Sequence, residues 1–167
     1  MTQQIATFVL GDTLLGVDIL LVKEIYRQMS FSQIPDAPEH FLGLMNLRGR
    51  VVTVIDLNVC LNRPAASYTD DSRLLILKTQ EEIMKSKIRA DLEDVNMGED
   101  IVGFLIDRMD DVINVEEKEI LPPPPNLVEV EEELVQGVIK QGDQLVILLN
   151  ITAVLERAMS VTTDTDV

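Results

Sequence analysis

Residues 46–57 read Asn46-Leu47-Arg48-Gly49-Arg50-Val51-Val52-Thr53-Val54-Ile55-Asp56-Leu57. Arg48-Gly49 is a turn dipeptide, and glycine there supplies a positive φ at low steric cost. Residues 43–47 before it and 50–55 after it are apolar enough to form the two strands of a hairpin. Asp56 stands where an N-cap belongs, and Leu57, Cys60 and Leu61 follow at helical spacing. A hairpin, a buried strand, a cap and a helix start thus occur in that order.

The same order recurs downstream. Laying Gly43 on Gly137 without gaps puts Val51 on Leu145, Val52 on Val146, Val54 on Leu148 and Ile55 on Leu149. Asp56 then falls on Asn150, Leu57 on Ile151 and Leu61 on Leu155. A second match, Gly16 on Gly103, puts Glu24 on Asp111 and Ile25 on Val112. Two similar halves made of short strands predict a pair of small barrels with closed edges.

Further strand signals fill in each half. Residues 5–10 and 13–17 flank Gly11-Asp12 as a hairpin. Residues 21–26 read as a strand, and 18–22 are also compatible with a short helical turn. Pro35 and Pro38 mark a loop, as do residues 64–72. Residues 74–77, 101–106 and 111–115 are strands, and Pro122 to Pro125 form a rigid extended connector. Residues 135–140 and 144–149 flank Gly142-Asp143, and Asn150 caps a helix running to about Met159. The tail 160–167 is expected to be flexible. Residues 79–100 interrupt the second set of strands. There Thr79 and Glu82 form a capping box, and Ile83, Ile88, Leu92 and Val95 give the apolar face of a short inserted helix. The expected organisation is one domain of two intertwined barrels. The first covers about residues 15–70 and the second about 73–149, with the N-terminal strand and the C-terminal helix packing across.

Composition narrows the function. The 167 residues hold 14 Lys and Arg against 29 Asp and Glu, a net −15 that repels nucleic-acid phosphates and anionic lipid surfaces. The one dense basic spot is Arg48 with Arg50. No Trp, two Tyr and four Phe are too few aromatics for a base-stacking barrel. Cys60 is the single cysteine, so no intramolecular disulfide is possible. The N-terminus lacks the basic and apolar regions of a signal peptide. The longest aliphatic run, 145–149, is far short of the roughly 20 residues of a membrane helix. A soluble, cytosolic chain without direct membrane insertion is expected.

Residues that carry chemistry are sparse. His40 is the single histidine and is expected at the surface of its loop. Cys60 falls on an apolar helix face, where a thiol is buried and inert. Glu131-Glu132-Glu133 reads as a solvated face. In residues 91–98 the glycine stands at the eighth place of a would-be calcium loop rather than the sixth. No phosphate-binding glycine loop, paired cysteine motif or nucleophile elbow occurs. No catalytic residue, metal or cofactor is expected. The rival from the enzyme class is a small acidic hydrolase, which needs two converging carboxylates with separated pKa values.

The order and spacing of residues 16–25, 43–49 with the strand after them, 102–107 and 137–150 resemble the CheW family of chemotaxis coupling proteins. The resemblance runs from about Phe8 to Leu155. It implies a mostly β fold of two tandem five-stranded SH3-like barrels with short capping helices and a C-terminal helix. It implies an adaptor, recruited in the cytoplasm to membrane-associated receptor arrays, whose output is flagellar or of another kind such as pili. The implied partners are the regulatory domain of a CheA-type histidine kinase and the cytoplasmic hairpin tip of methyl-accepting chemoreceptors. By the same resemblance Val22, Glu24, Ile25, Arg48, Met109 and Val112 fall at receptor-groove positions. Glu24 and Arg48 are expected to pair, and Val22 and Val112 suit core packing equally well. Gly43, Asn46, Val51, Val54 and Leu57 match the kinase-contact region. Val54 and Leu57 must also build that barrel's core, and Gly43 suits close backbone approach. Arg73 stands where the family carries an apolar residue. The 79–100 insertion departs from the compact family pattern, either as an interaction element or as neutral decoration.

Overall fold

The computed structural model describes residues 2–27, 31–65, 67–86 and 97–164. In chain order the strands are β1 (Thr2–Leu10), β2 (Thr13–Asp18), β3 (Val22–Tyr26), β4 (Phe41–Leu47), β5 (Arg50–Asp56), β6 (Arg73–Leu77), β7 (Ile101–Ile106), β8 (Arg108–Glu116), β9 (Val135–Gln141) and β10 (Gln144–Leu149). The helices are α1 (Leu57–Cys60), α2 (Gln80–Ser86) and α3 (Ile151–Asp164). The strands form two five-stranded sheets, in the orders β8-β1-β2-β10-β9 and β3-β6-β7-β5-β4. The molecule is mostly β, a pair of SH3-like barrels as expected.

The two orders are the same order under the sequence repeat, with β3 matching β8, β6 matching β1, β7 matching β2, β5 matching β10 and β4 matching β9. Even the parallel contacts correspond, because Gly16 pairs with Leu148 and Gly103 with Val54. Each repeat, however, gives its first two strands to one sheet and its last three to the other. Strand pairing therefore does not divide at residues 15–70 and 73–149. The reason is connection length. One residue, Asp107, separates β7 from β8, and a hairpin needs about two. A 3-10 turn, Ile19–Leu21, carries β2 into β3. Both neighbours of β2 and of β7 are already taken, so each chain crosses to the other sheet.

Three cores result. One lies inside the β3–β7 sheet and contains Met45, Val52, Val54, Leu74, Ile76, Ile101 and Leu105. Its counterpart in the other sheet contains Ile5, Val115, Ile139, Val146 and Leu148. The largest fills the seam between the sheets, with Ala6, Phe8, Leu15 and Val17 from one side and Leu75, Leu77, Phe104 and Ile106 from the other. The alternation along β1, with Ala6, Phe8 and Leu10 to the seam and Ile5 to its own barrel, is the period of two of a strand buried on both faces.

The caps lie where the residue types put them. Asp56 accepts from the Asn58 amide at 3.0 Å and Asn150 from the Ala153 amide at 3.2 Å. The Thr79–Glu82 capping box is closed in both directions, at 3.0 and 3.3 Å. Ile88, Leu92 and Val95, and most of the 91–98 stretch, lie outside the described residues. α3 continues past Met159 to Asp164, since no glycine or proline follows Asn150 to stop it. His40 is not at the surface. It is buried under α3, with Nε2 at 2.8 Å from the Ala158 carbonyl and its own carbonyl accepting from the Asp56 amide. Its loop folds beneath a helix that is more than a hundred residues away in sequence, which local pattern does not reveal.

Candidate functional site

The residues expected at a receptor groove sort into two groups. β3 and β8 are repeat mates and lie at the edges of their sheets. Each carries a β-bulge. In β3 the register passes from Val22 opposite Leu77 to Glu24 opposite Ile76, which leaves Lys23 as the extra residue. In β8 it passes from Met109 opposite Phe8 to Val112 opposite Ala6. A strand alternates faces every residue, so positions three apart would normally point to opposite sides. The bulge restores them to one side. Val22 and Ile25 thus share the face of Leu77 and Leu75, and Met109 and Val112 share the face of Phe8 and Ala6. All four of those partner residues belong to the seam core. Val22 and Met109 pack against that core, while Ile25 and Val112 remain 44% and 46% exposed. The outcome for Val22 and Val112 is therefore split. Val22 is half-buried packing, and Val112 is available surface.

Glu24 and Arg48 form the second group. The extra bulge residue turns Glu24 to the other face of β3, beside Ile76, toward its own barrel's interior. Arg48 Nη1 lies 2.8 and 3.1 Å from the two Glu24 oxygens, so the expected pair is present. β3 and β4 are opposite edges of the sheet, so this contact between β3 and the β4–β5 turn bridges the barrel's closure. The Glu24 hydrogen bond and charge raise the Arg48 guanidinium above its ordinary pKa. Arg48 has φ 53° and Gly49 φ 81°. Both central residues are left-handed, as a type I′ hairpin demands. The sequence pointed to Gly49 alone for that conformation. A small cavity of about 200 Å³ opens beside the pair, lined by Lys23, Leu47, Arg48, Arg50, Val52, Ile76 and Ile101. Arg73 does not line it. Its guanidinium turns back onto the Asp70 and Ser72 carbonyls at 2.8 and 2.7 Å.

The model for the CheW-like domain matches residues 4–159. The chain belongs to the CheW-like domain family. It is similar to the chemotaxis protein CheW of Helicobacter pylori, 28% identical over 154 residues, which is 92% of this chain and 82% of that protein. It is also similar to the chemotaxis protein CheW of Treponema pallidum, 30% identical over 148 residues, covering 89% and 79% respectively. The crystal structure of the scaffolding protein TtCheW from Thermoanaerobacter tengcongensis aligns with a TM-score of 0.73 at 28% identity, over 90% of this chain and 86% of that one.

In this CheW-like domain the residues expected at the kinase contact also divide. Val54 is fully buried in its own barrel's core, Leu57 is fully buried in the seam core instead, and Gly43 is covered. A Cβ on Gly43 would collide with the Ser32 carbonyl, because residue 32 bridges to Leu44 along the edge of β4. Asn46 and Val51 lie directly opposite one another on the outer face of β4 and β5. Val51 is 59% exposed, and Leu44, one pair along on the same face, is 41% exposed. Leu44 went unnoticed in sequence, although its alternation with buried Gly43 and Met45 was available as a signal. Asn46 also accepts from the Gly49 amide at 3.0 Å and so stiffens the hairpin.

Neither displaced carboxylate suits general acid catalysis. Partial burial pushes Glu82 up, but the Lys23 ammonium and the Thr79 amide hold it below the ordinary range. The Arg157 guanidinium holds Glu131 down at 2.5 Å. Each carboxylate is occupied by its own cation. Among the described residues no helix is long and apolar enough to cross a membrane, and no cluster of three metal-ligating side chains occurs.

Proposed function

We propose that this chain is a coupling scaffold of a chemotaxis pathway, holding membrane chemoreceptors and a CheA-type histidine kinase in one assembly. The observation that carries this reading is that Val22 and Ile25 on edge strand β3, and Met109 and Val112 on edge strand β8, all share a face with seam-core residues, in a chain that matches the CheW-like domain over residues 4–159. A rod-like receptor tip with an apolar stripe lays that stripe along such an aliphatic edge. The kinase regulatory domain takes the outer face of β4 and β5 at Leu44, Asn46 and Val51. The scaffold works on the cytoplasmic side at receptor arrays, and the reading serves flagellar and non-flagellar pathways alike. Holding two partners at once raises their effective concentration for one another. A signal then passes as a shift in population at the shared interfaces.

Calorimetry with a soluble receptor cytoplasmic fragment and, separately, with a kinase regulatory domain tests this. Both are expected to bind. Ile25→Asp and Val112→Asp should each weaken the receptor fragment at least about tenfold while sparing the kinase domain. No heat with either partner would overturn the reading.

A further inference from the structure

The two repeat-related bulges are held by different devices. In the β1–β8 pair, Thr7 of β1 lies opposite the bulge, and its hydroxyl donates to the Asp111 carbonyl. The Thr7 side of this bond is buried, while Asp111 is exposed. By register, the counterpart of Thr7 in the other barrel is Ile76, opposite Glu24. Isoleucine has no group with which to pin a bulge. The extra residue of the β3 bulge, Lys23, is instead held from outside the sheet. Its ammonium lies 2.8 Å from Glu82 of α2, and both side chains are less than a third exposed.

α2 is placed firmly enough to do this. Its capping box is closed by Thr79 and Glu82. The Gln80 amide donates to the Gly98 carbonyl at 2.8 Å, and the Gln80 side chain accepts from the Met97 amide at 2.8 Å. Ile83 is buried in the seam core, the same core on which Val22 packs. The Lys78 amide donates to the Leu21 carbonyl at 2.9 Å, which joins the root of α2 to the turn that starts β3.

We infer that α2 is a positioning element of the docking edge: Glu82, acting through Lys23, fixes the β3 bulge that turns Val22 and Ile25 to the seam, as Thr7 does for Met109 and Val112. The inserted helix then tunes receptor affinity without needing to touch the receptor. The inference rests on the proposed coupling role for its functional consequence, and on the bulge geometry alone for its structural one.

The test uses the full chain with Glu82→Gln, which keeps the capping-box acceptor, Lys23→Met and the double variant. Each single variant should weaken binding of a soluble receptor cytoplasmic fragment about two- to fivefold, and the double no more than either single. Affinity for the kinase regulatory domain should stay unchanged. Amide hydrogen exchange at residues 22–25 should accelerate in the single variants while that at 109–112 stays as in the parent. Parent-like exchange at 22–25, or parent-like receptor affinity in both single variants, overturns the inference. If the parent chain itself gives no heat with the receptor fragment, the coupling role has failed, and the exchange comparison still decides the role of α2.

Discussion

Arg48 donates from one guanidinium nitrogen to both carboxylate oxygens of Glu24, at 2.8 and 3.1 Å, and so links the β4–β5 turn to the opposite edge of the same sheet. Arg48 is also held in the left-handed region at φ 53°. These two facts pull a substitution in opposite directions. Arg48→Gly suits the turn and loses the pair, whereas Arg48→Ala loses the pair and keeps the backbone strain. Thermal unfolding should place Arg48→Gly above Arg48→Ala in Tm. In a double-mutant cycle, Glu24→Ala and Arg48→Ala should show coupling in partner binding that fades as salt rises. Additive effects would mean that the pair is incidental to docking.

Gly16 and Gly103 are repeat mates, yet they tolerate a methyl group differently. A Cβ on Gly16 would come within 2.6 Å of the Ile5 side chain and 3.1 Å of Val146. On Gly103 the nearest atom, in Val52, is 3.3 Å away. Gly16→Ala should cost about 1–3 kcal/mol as overpacking, and Gly103→Ala distinctly less. Urea denaturation of the two variants checks the ranking.

The division of the kinase-contact residues is testable through stability. Leu57 is fully buried, so Leu57→Ala should cost about 2–5 kcal/mol, and Val54→Ala should also destabilise. Val51 is mostly exposed, so Val51→Ala should leave stability within about 0.5 kcal/mol. It should nevertheless weaken binding of the kinase regulatory domain. A Val51→Ala protein that binds like the parent would remove that residue from the contact.

The acid limb of stability should contain Glu131. Its folded pKa lies below the ordinary glutamate value because Arg157 donates to the carboxylate. The unfolded chain therefore binds the proton more readily than the folded one. The contribution is fully present above the ordinary glutamate pKa, near 4.5, and is lost as pH falls through the lower folded value. Glu131→Gln should flatten that part of the stability profile by lowering stability at neutral pH, and should leave the most acid end little changed. Equally steep acid limbs in parent and variant would contradict this.

Cys60 should be silent to thiol reagents in the folded protein. Burial, the main cause, pushes its thiol up to about 11, and its sulfur faces the Val154 carbonyl of α3. At neutral pH little thiolate exists and access is closed. Ellman's reagent should react at the rate of unfolding, rising steeply with denaturant. Rapid labelling of native protein would place Cys60 at the surface.

Much of the site's chemistry was legible from residue types. Asp56 and Asn150 announce helix starts, Thr79 and Glu82 announce a capping box, and the Glu24–Arg48 pair follows from the family resemblance. These are local contacts or matched positions. The bulges at Lys23 and beside Asp111 were not legible. Nothing in a run of residues marks an extra residue until the partner strand supplies the register. His40 was misjudged for a related reason, since the helix that buries it is more than a hundred residues downstream.

The chain alone determined the doubled pattern of strands, caps and turns, because hydrophobic period, turn residues and N-caps act within a few residues. Tertiary structure decided which strands keep company and which way Val22, Ile25, Met109 and Val112 face. That choice depends on connection length, on occupied strand edges and on inter-strand register. Those are properties of pairs of segments, and no single segment encodes them.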